Sequence, residues 1–381
     1  MLNIALLFEK NQEIAKTKLR VDKGRIIIPF SRSVIDGKGI MQLMKLINWV
    51  ENAYSTVKIP VIIDLGKVAF ADKLTMVIFE CLCYYVVSEC RRLVFLKYNI
   101  DCNDIWTEGI YSSPLLILGQ HDKGHVDKFV KKFSFDLYGN HFRKIIKVSD
   151  DELMLSKLMT DIDIFLKSIG VGEDYRDKIA EVIVELVGNA HEHTRTESLL
   201  DIDVTNSYTN NKTGEQVYGI NLVVVNFSSQ LFGSALKDKL HSEDPIKLWD
   251  SPRYNTLINA YRSHERQFNN QYTEEDFYNI ASFQHKISGR EGALLHGGTG
   301  LTKLINSLES MSDAHKCYML TGTRIVNFIS EHLVHDKENW ISFNGNNDFK
   351  KSIPDANVIN RCPIFFPGTA YNLNFVMKKE N

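Results

Sequence analysis

The sequence predicts an α+β protein built from two domains. Three observations lead to this prediction. The chain has 381 residues, which is enough for two domains. Its first hundred residues alternate between strand and helix patterns. Its second part instead places two helical patterns ahead of two strand patterns that are joined by a polar loop.

The first part predicts an α/β domain over residues 1–120. "PVIIDLG" is a continuous apolar run, as expected of a strand covered on both faces. "GIMQLMKLINWVENAYS" from Gly39 has helical periodicity, and "KLTMVIFECLCYYVVSE" from Lys73 predicts a second, buried helix. Together with the strands "GRIIIPF" and "RLVFL", these elements give the order βαβαβ, which indicates a small domain with a largely buried sheet.

A polar stretch, "GQHDKGHVDKFVKKF", predicts a linker over residues 121–140. Beyond it, "FRKIIKVS" predicts a strand, and Ser149 and Asp150 are residue types that cap the helix that follows. "GEDYRDKIAEVIVELVGNAHEHT" is the next predicted helix. "LLDIDVTNSYTNNKTGEQVYGINLVVVNF" predicts a hairpin, and a long mixed segment follows it.

Composition argues against several classes of protein. A net charge of −2 provides no electrostatic footprint for nucleic acid or for an anionic membrane, so neither partner is expected. The first twenty residues lack the order of a signal peptide, and the most apolar run, "MVIFECLCYYVV", is too short to span a bilayer. We therefore expect a soluble, cytoplasmic protein. The six cysteines include no CxxC pair, so neither a zinc site nor a disulfide framework is expected.

The predicted helix ending in "EVIVELVGNAHEHT" carries a polar stripe. Glu181, Glu185, Asn189 and His193 are each four residues apart, so they form one slanted row on one side of the helix. Apolar residues cover most of the remaining circumference, which indicates a buried helix. Two carboxylates one turn apart repel each other by roughly 0.2–0.5 kcal/mol. We therefore expect a positive or donor-rich group to face this stripe, with Glu181 at its edge in a salt bridge to Lys178 or Arg176.

A glycine-rich turn lies downstream, in "HGGTGLTKLI". Gly298, Thr299 and Gly300 precede an apolar helical pattern that begins near Leu301. A glycine turn at a helix N-terminus presents free amide groups and a positive dipole end, which favour an anion such as phosphate. An amide oxygen and a carboxylate opposite such a turn are suited to hold Mg²⁺ and to orient a water molecule.

These motifs, in this chain order, resemble the GHKL ATPase superfamily, which includes DNA gyrase, MutL, histidine kinases and anti-sigma serine kinases. The first motif of that family corresponds to Glu185, Asn189, Ala190 and His193, in the form that is most similar to the anti-sigma kinase branch. The resemblance implies that ATP and Mg²⁺ are the cofactors, that Asn189 is the magnesium ligand and that Glu185 is the general base. It also implies an α/β sandwich.

The resemblance extends over residues 141–381 and implies a long lid at about 228–296. The nucleotide would be bound by the family's other motifs as well: the glycine motif at Gly298, Thr299, Gly300 and Leu301, and a late Gly-Thr pair, Gly368 and Thr369. One motif departs from the family, because Asn226 stands where an aspartate normally binds adenine and the two glycines after it are missing. An asparagine oxygen still accepts a hydrogen bond from an amino group.

The first part resembles the STAS type of domain over about residues 20–120. The corresponding residues are Asp64, Leu65, Phe70 and Asp72. The phosphorylatable serines that follow the last aspartate in that family are replaced by Lys73 and Leu74. The resemblance therefore implies a structural or docking domain rather than one that is switched by phosphorylation.

Three functions stay open from the sequence. The first is an ATP-binding, slowly hydrolysing switch that acts through a protein partner or a homodimer. The second is a serine/threonine protein kinase of the anti-sigma type, in which Glu185 would activate a substrate hydroxyl. The third is a non-catalytic docking module, which the altered loop at Asn226 favours and which the retention of Glu185 and Asn189 disfavours.

Overall fold

The structure, a computed structural model, describes residues 2–100, 112–120, 122–148, 151, 153–209, 213–241, 251–287, 300–311 and 317–378. Two β-sheets with helices packed against them confirm the α+β class. The strands are β1 Arg20–Asp22, β2 Arg25–Pro29, β3 Val34–Ile35, β4 Val61–Phe70, β5 Val94–Ile100, β6 Phe135–Tyr138, β7 His141–Ile146, β8 Ser198–Thr209, β9 Gln216–Asn226, β10 Tyr318–Asn327 and β11 Ile359–Lys378. The helices are α1 Ala5–Lys10, α2 Gly37–Ala53, α3 Lys73–Ser88, α4 Leu115–Gln120, α5 His125–Ser134, α6 Met154–Ser168, α7 Glu173–Thr194, α8 Ser234–Leu240, α9 Pro252–Glu265, α10 Glu274–Ala281 and α11 Gly300–Met311.

The first sheet is built around β4. Val61 of β4 pairs in parallel with Ile26 of β2 and with Val94 of β5, so these two strands lie on opposite edges of β4. The short β3 also pairs with the end of β4 in parallel, and β1 adds an antiparallel strand next to β2. The predicted βαβαβ order is confirmed, since α2 and α3 connect these strands.

Aspartate side chains set where α2 and α3 begin. The carboxylate of Asp36 accepts a hydrogen bond from the amide of Gly39 at 2.8 Å, and that of Asp72 accepts one from the amide of Thr75 at 2.8 Å. Each bond satisfies an amide in the first turn that has no partner within the helix. The helix α3 is then buried almost along its whole length, as its continuous apolar sequence predicts.

The second sheet is antiparallel, with the strand order β10-β11-β9-β8-β7-β6. The predicted hairpin is β8–β9, and the predicted strand before the two helices is β7. One face of this sheet is covered by α6, α7 and α11. The other face is covered by α5 and by the N-terminal unit, which is our name for α3 and the other described parts of residues 2–120. In β9, for example, Val224 faces the core under α6, α7 and α11, and Val225 faces the core that is shared with the N-terminal unit.

The prediction of a linker over residues 121–140 is wrong. This segment contains α5 and β6, and β6 is the edge strand of the second sheet. Phe129 and Phe133 lie one turn apart on α5 and are fully buried, and Phe133 stacks on Tyr84 with ring centroids 4.3 Å apart. The many charged residues of α5 cover only its outer face, so the polar composition concealed an amphipathic helix.

The segment 228–296, predicted as a lid, packs into the core over its described residues, 228–241 and 251–287, and its movement as a lid stays a prediction. Helices α8, α9 and α10 belong to the core on the α7 face of the second sheet, and Tyr254 and Phe277 within them are fully buried. The loop between β10 and β11 packs against them. From that loop, Trp340 stacks on Phe349, and Arg253 of α9 lies 3.5 Å above the Trp340 ring. Residues 242–250 and 288–296 lie outside the described part.

Within the residues described above, no helix combines the length and the apolar character needed to cross a membrane. The cysteines in this part, Cys81, Cys83, Cys90, Cys317 and Cys362, are buried and free. Two of them, Cys81 and Cys83, lie in α3, which confirms their predicted place in a buried helix.

Candidate functional site

A cleft opens on the α7 face of the second sheet, between α7, α8 and the start of α11. The space between these elements, with the open mouth of the cleft included, is about 970 Å³. Several of the predicted site residues line it. These are Glu185, Asn189, His193, Asn226, Leu301 and Thr369.

The polar stripe of α7 forms one wall of this cleft. Asn189 and Glu185 are partly buried, and Nδ2 of Asn189 donates a hydrogen bond to Oε1 of Glu185 at 3.2 Å. Because the amide nitrogen is held by the carboxylate, the amide oxygen of Asn189 is directed away from it. His193 lines the cleft one turn further along the helix. The stripe therefore places a carboxylate, an amide and an imidazole along the cleft.

Glu181 lies at the edge of the stripe in an ion pair, as expected, but not with the predicted Lys178 or Arg176. Its Oε1 is 3.0 Å from Nζ of Lys303 on α11. Arg176 instead pairs with Asp163 of α6, with 2.6 Å between Nε and Oδ1. The first carboxylate of the row thus ties α7 to α11, and the second one, Glu185, lines the cleft.

The far wall of the cleft is formed by the ends of strands. Asn226 is the last residue of β9 and is paired with Thr369 of β11 on one side and with Ser198 of β8 on the other. Its Nδ2 donates hydrogen bonds to the hydroxyl oxygens of Thr194, at 3.4 Å, and Thr196. The amide oxygen is therefore the atom with which Asn226 can accept a hydrogen bond from a ligand.

The glycine of the late Gly-Thr pair is required by its backbone. Gly368 has φ +93°, and a Cβ atom at this position would lie 2.3 Å from the carbonyl oxygen of Asn226 and 2.7 Å from the amide nitrogen of Ser228. Both neighbours are backbone atoms that have little room to move. The carbonyl oxygen of Gly368 in turn accepts a hydrogen bond from Oγ1 of Thr321 at 2.7 Å. The missing side chain lets β11 approach the end of β9 closely.

The glycine turn is only partly described. Gly298 and Thr299 lie outside the described residues, so their predicted contact with phosphate stays a prediction. Gly300 is the first residue of α11, and Leu301 lines the cleft. The first turn of α11 therefore lies beside the cleft.

Several cleft residues were missed from the sequence. Thr194 lines the cleft and, together with Thr196 behind it in the sequence, holds the amide of Asn226. Tyr371 also lines the cleft, and burial and the nearby Glu185 carboxylate raise the pKa of its hydroxyl. For Thr194 and Tyr371, closeness in sequence to a predicted site residue was the available signal. Thr194 directly follows His193, and Tyr371 lies two residues after Thr369, on the same side of the strand. Residues of the α8 region, Phe232 and Ser234, carried no such signal.

A second group of metal-ligand types lies on the opposite face of the same sheet. One ligand atom from each of His141, Asp201 and Asp203 falls within 4.8 Å of the others, and all three residues are buried. However, Nζ of Lys73 lies 2.6 Å from Oδ1 of Asp201 and also contacts Asp203. An ammonium group thus stands where a metal ion would have to bind, so this group is an ion-pair cluster rather than a metal centre.

Burial alone would lower the pKa of His141, but the carboxylates of Asp201 and Asp203 and hydrogen bonds to Asp136 and Asp201 raise it from 6.5 to about 9. A pKa that is higher in the folded state stabilises the protein at pH values below the unfolded pKa, and this stability is lost as the pH rises through the folded value. We expect the free energy of unfolding to fall by about 3 kcal/mol between pH 6.5 and 9.5 from this group.

Urea denaturation at several pH values measures this loss. Other groups titrate in the same range, so the informative quantity is the difference between the wild type and His141→Gln. The variant should be less stable at pH 6.5 and should approach the wild type at pH 9.5. Parallel curves for the two proteins would show that folding does not raise the pKa of His141.

No family model, curated protein or solved structure matches the chain.

Proposed function

We propose that the cleft binds ATP together with Mg²⁺ and that the protein is a slow ATPase of the GHKL type that works as a nucleotide-dependent switch. The observation that supports this proposal is that the predicted motif residues meet in one cleft. The residues that line this one cleft come from four segments that are far apart in sequence: Glu185 and Asn189, Asn226, Leu301, and Thr369.

The atoms of the α7 wall suit a phosphate-bound magnesium ion. Mg²⁺ prefers oxygen ligands and usually retains several water molecules, so one amide oxygen from Asn189 is a sufficient protein contribution when phosphate oxygens supply others. Bound Mg²⁺ would neutralise phosphate charge. Glu185, next to Asn189, would accept the proton of the attacking water or hydroxyl group.

The strand ends suit the base. The amide oxygen of Asn226 would accept a hydrogen bond from the amino group of adenine, with the amide held in this orientation by Thr194 and Thr196. Apolar side chains that also line the cleft, among them Leu186 and Ile287, would contact the faces of the ring. This pairing works without the charge of the aspartate that the family normally carries.

Calorimetric titration with a non-hydrolysable ATP analogue, with and without Mg²⁺, tests the proposal. We expect binding that depends on magnesium in the wild type and at least tenfold weaker binding in Asn189→Ala, because the variant removes the magnesium ligand.

Asn306→Ala is the matched control, since Asn306 lies on the exposed face of α11. It should bind the analogue as the wild type does. A folded wild-type protein that binds no analogue at millimolar concentration would overturn the proposal and leave the docking module as the better account.

A further inference from the structure

The N-terminal unit meets the second sheet through a buried cluster of charged side chains. The members come from three elements: α3 of the N-terminal unit and strands β7 and β8 of the sheet. All of them are almost completely excluded from solvent. They are Lys73, Glu80, His141, Arg143, Asp201 and Asp203.

The contacts in this cluster cross the interface in both directions. Lys73, at the start of α3, contacts Asp201 at 2.6 Å and also Asp203. Glu80, two turns along the same helix, contacts Arg143. Arg143 also contacts Asp201, so the two helix charges are joined through the sheet. The spacing of seven residues places both charges on the face of α3 that meets the sheet.

The charges of the cluster balance. Three cations, which are Lys73, Arg143 and protonated His141, face three anions, which are Glu80, Asp201 and Asp203. At the rim, Asp136 of β6 contacts His141 at 2.8 Å and Lys132 of α5 at 2.5 Å, which adds one neutral pair. A balanced cluster matters because an uncompensated charge in such a site is strongly destabilising.

The strands that face the N-terminal unit on one side also contribute residues to the cleft on the other side. Val225 of β9 and Phe227, directly after the strand, face the N-terminal unit, and Asn226 between them lines the cleft on the other face. In β11, Ala370 faces the N-terminal unit and Thr369 lines the cleft. Whatever holds the N-terminal unit against the sheet therefore also supports the strand ends that form the far wall.

We propose that this charge-balanced cluster is an electrostatic latch, which keeps the N-terminal unit docked on the sheet and thereby holds the strand ends that carry Asn226 and Thr369. Lys73 is the central group of the latch, because it bridges both aspartates from the first turn of α3. The latch does not depend on nucleotide binding, so it can be tested whether or not the cleft binds ATP.

Amide hydrogen exchange on the whole chain tests the latch. Lys73→Met leaves two cations against three anions. Amides of α3, of the start of β8 and of the end of β9 should therefore exchange roughly 100-fold faster. Amides of α9, on the far side of the molecule, should change by less than about threefold. The double variant Lys73→Met with Asp203→Asn restores the balance and should recover most of the protection.

Lys97→Met is the matched control, since Lys97 lies exposed on β5 of the same unit, and it should exchange as the wild type does. Unchanged exchange in α3 of Lys73→Met would overturn the latch. So would an equal rise in α3 and α9, because the cluster would then stabilise the whole fold rather than the docking. A double variant that exchanges faster than Lys73→Met would overturn the role of charge balance.

Discussion

Replacing Glu185 by Gln is expected to lower ATP turnover at least 100-fold and to leave the affinity for a non-hydrolysable analogue within about threefold. A general base contributes roughly 10²–10⁴ to a rate, and Gln has the same shape but cannot accept the proton. The carbonyl oxygen of Gln can still accept the hydrogen bond that Nδ2 of Asn189 donates to Glu185, so the wall of the cleft should keep its geometry.

Steady-state phosphate release and calorimetry together measure this split. Glu181→Gln is the control: it is one turn away on the same helix, removes the same charge, and pairs with Lys303 instead of lining the cleft. It should turn over at the wild-type rate. Equal losses of ATP turnover in the two variants would show that the effect comes from the charge on α7 and not from a general base at Glu185. Transfer of labelled phosphate to a protein, lost in Glu185→Gln, would favour the kinase over the hydrolase.

Gly368→Ala is expected to lower the free energy of unfolding by about 3 kcal/mol or more. Two effects add. The residue has φ +93°, which disfavours any side chain, and the new Cβ would lie 2.3 Å from the carbonyl oxygen of Asn226. Since both clashing neighbours are backbone atoms, β11 and the end of β9 would have to separate. Chemical denaturation of the variant and the wild type measures the loss.

Gly24→Ala separates the two effects, because Gly24 has φ +73° but no atom within 4 Å of the added Cβ. It should cost about 1–2 kcal/mol from backbone strain alone. If both variants lose the same stability, the close approach of the two strands contributes nothing and the geometric argument for Gly368 fails.

Much of the fold follows from local patterns. The buried helix α3 was predicted from a continuous apolar run, and α7 and the β8–β9 hairpin from periodicity. The errors arose where burial depends on distant residues. Helix α9 is polar on average, yet Tyr254 and Leu257 are buried, and the same core includes Trp340, which lies more than 80 residues later in the chain. Periodicity in one segment carries no information about such a partner.

The candidate site divides in the same way. The four-residue spacing of Glu185, Asn189 and His193 fixes their common side on a helix, and the chain order of the motifs suggested which segments would meet. The role of Thr196 could not be read, because a threonine between a helix and a strand is ordinary until its hydroxyl is found beside Asn226. The partner of Lys73 was equally hidden, since Asp201 is 128 residues away.

The covering of the second sheet on both faces bears on how this chain can change over evolutionary time. The face of this sheet opposite α7 shares one hydrophobic core with the N-terminal unit. A recombination event that joined the N-terminal unit or the sheet to a different neighbour would therefore leave a large apolar surface exposed to water. Substitutions such as those at Val223 or Phe366 are also constrained by both halves at once. The two halves are therefore expected to be inherited and to vary together, and not to be shuffled as separate cassettes.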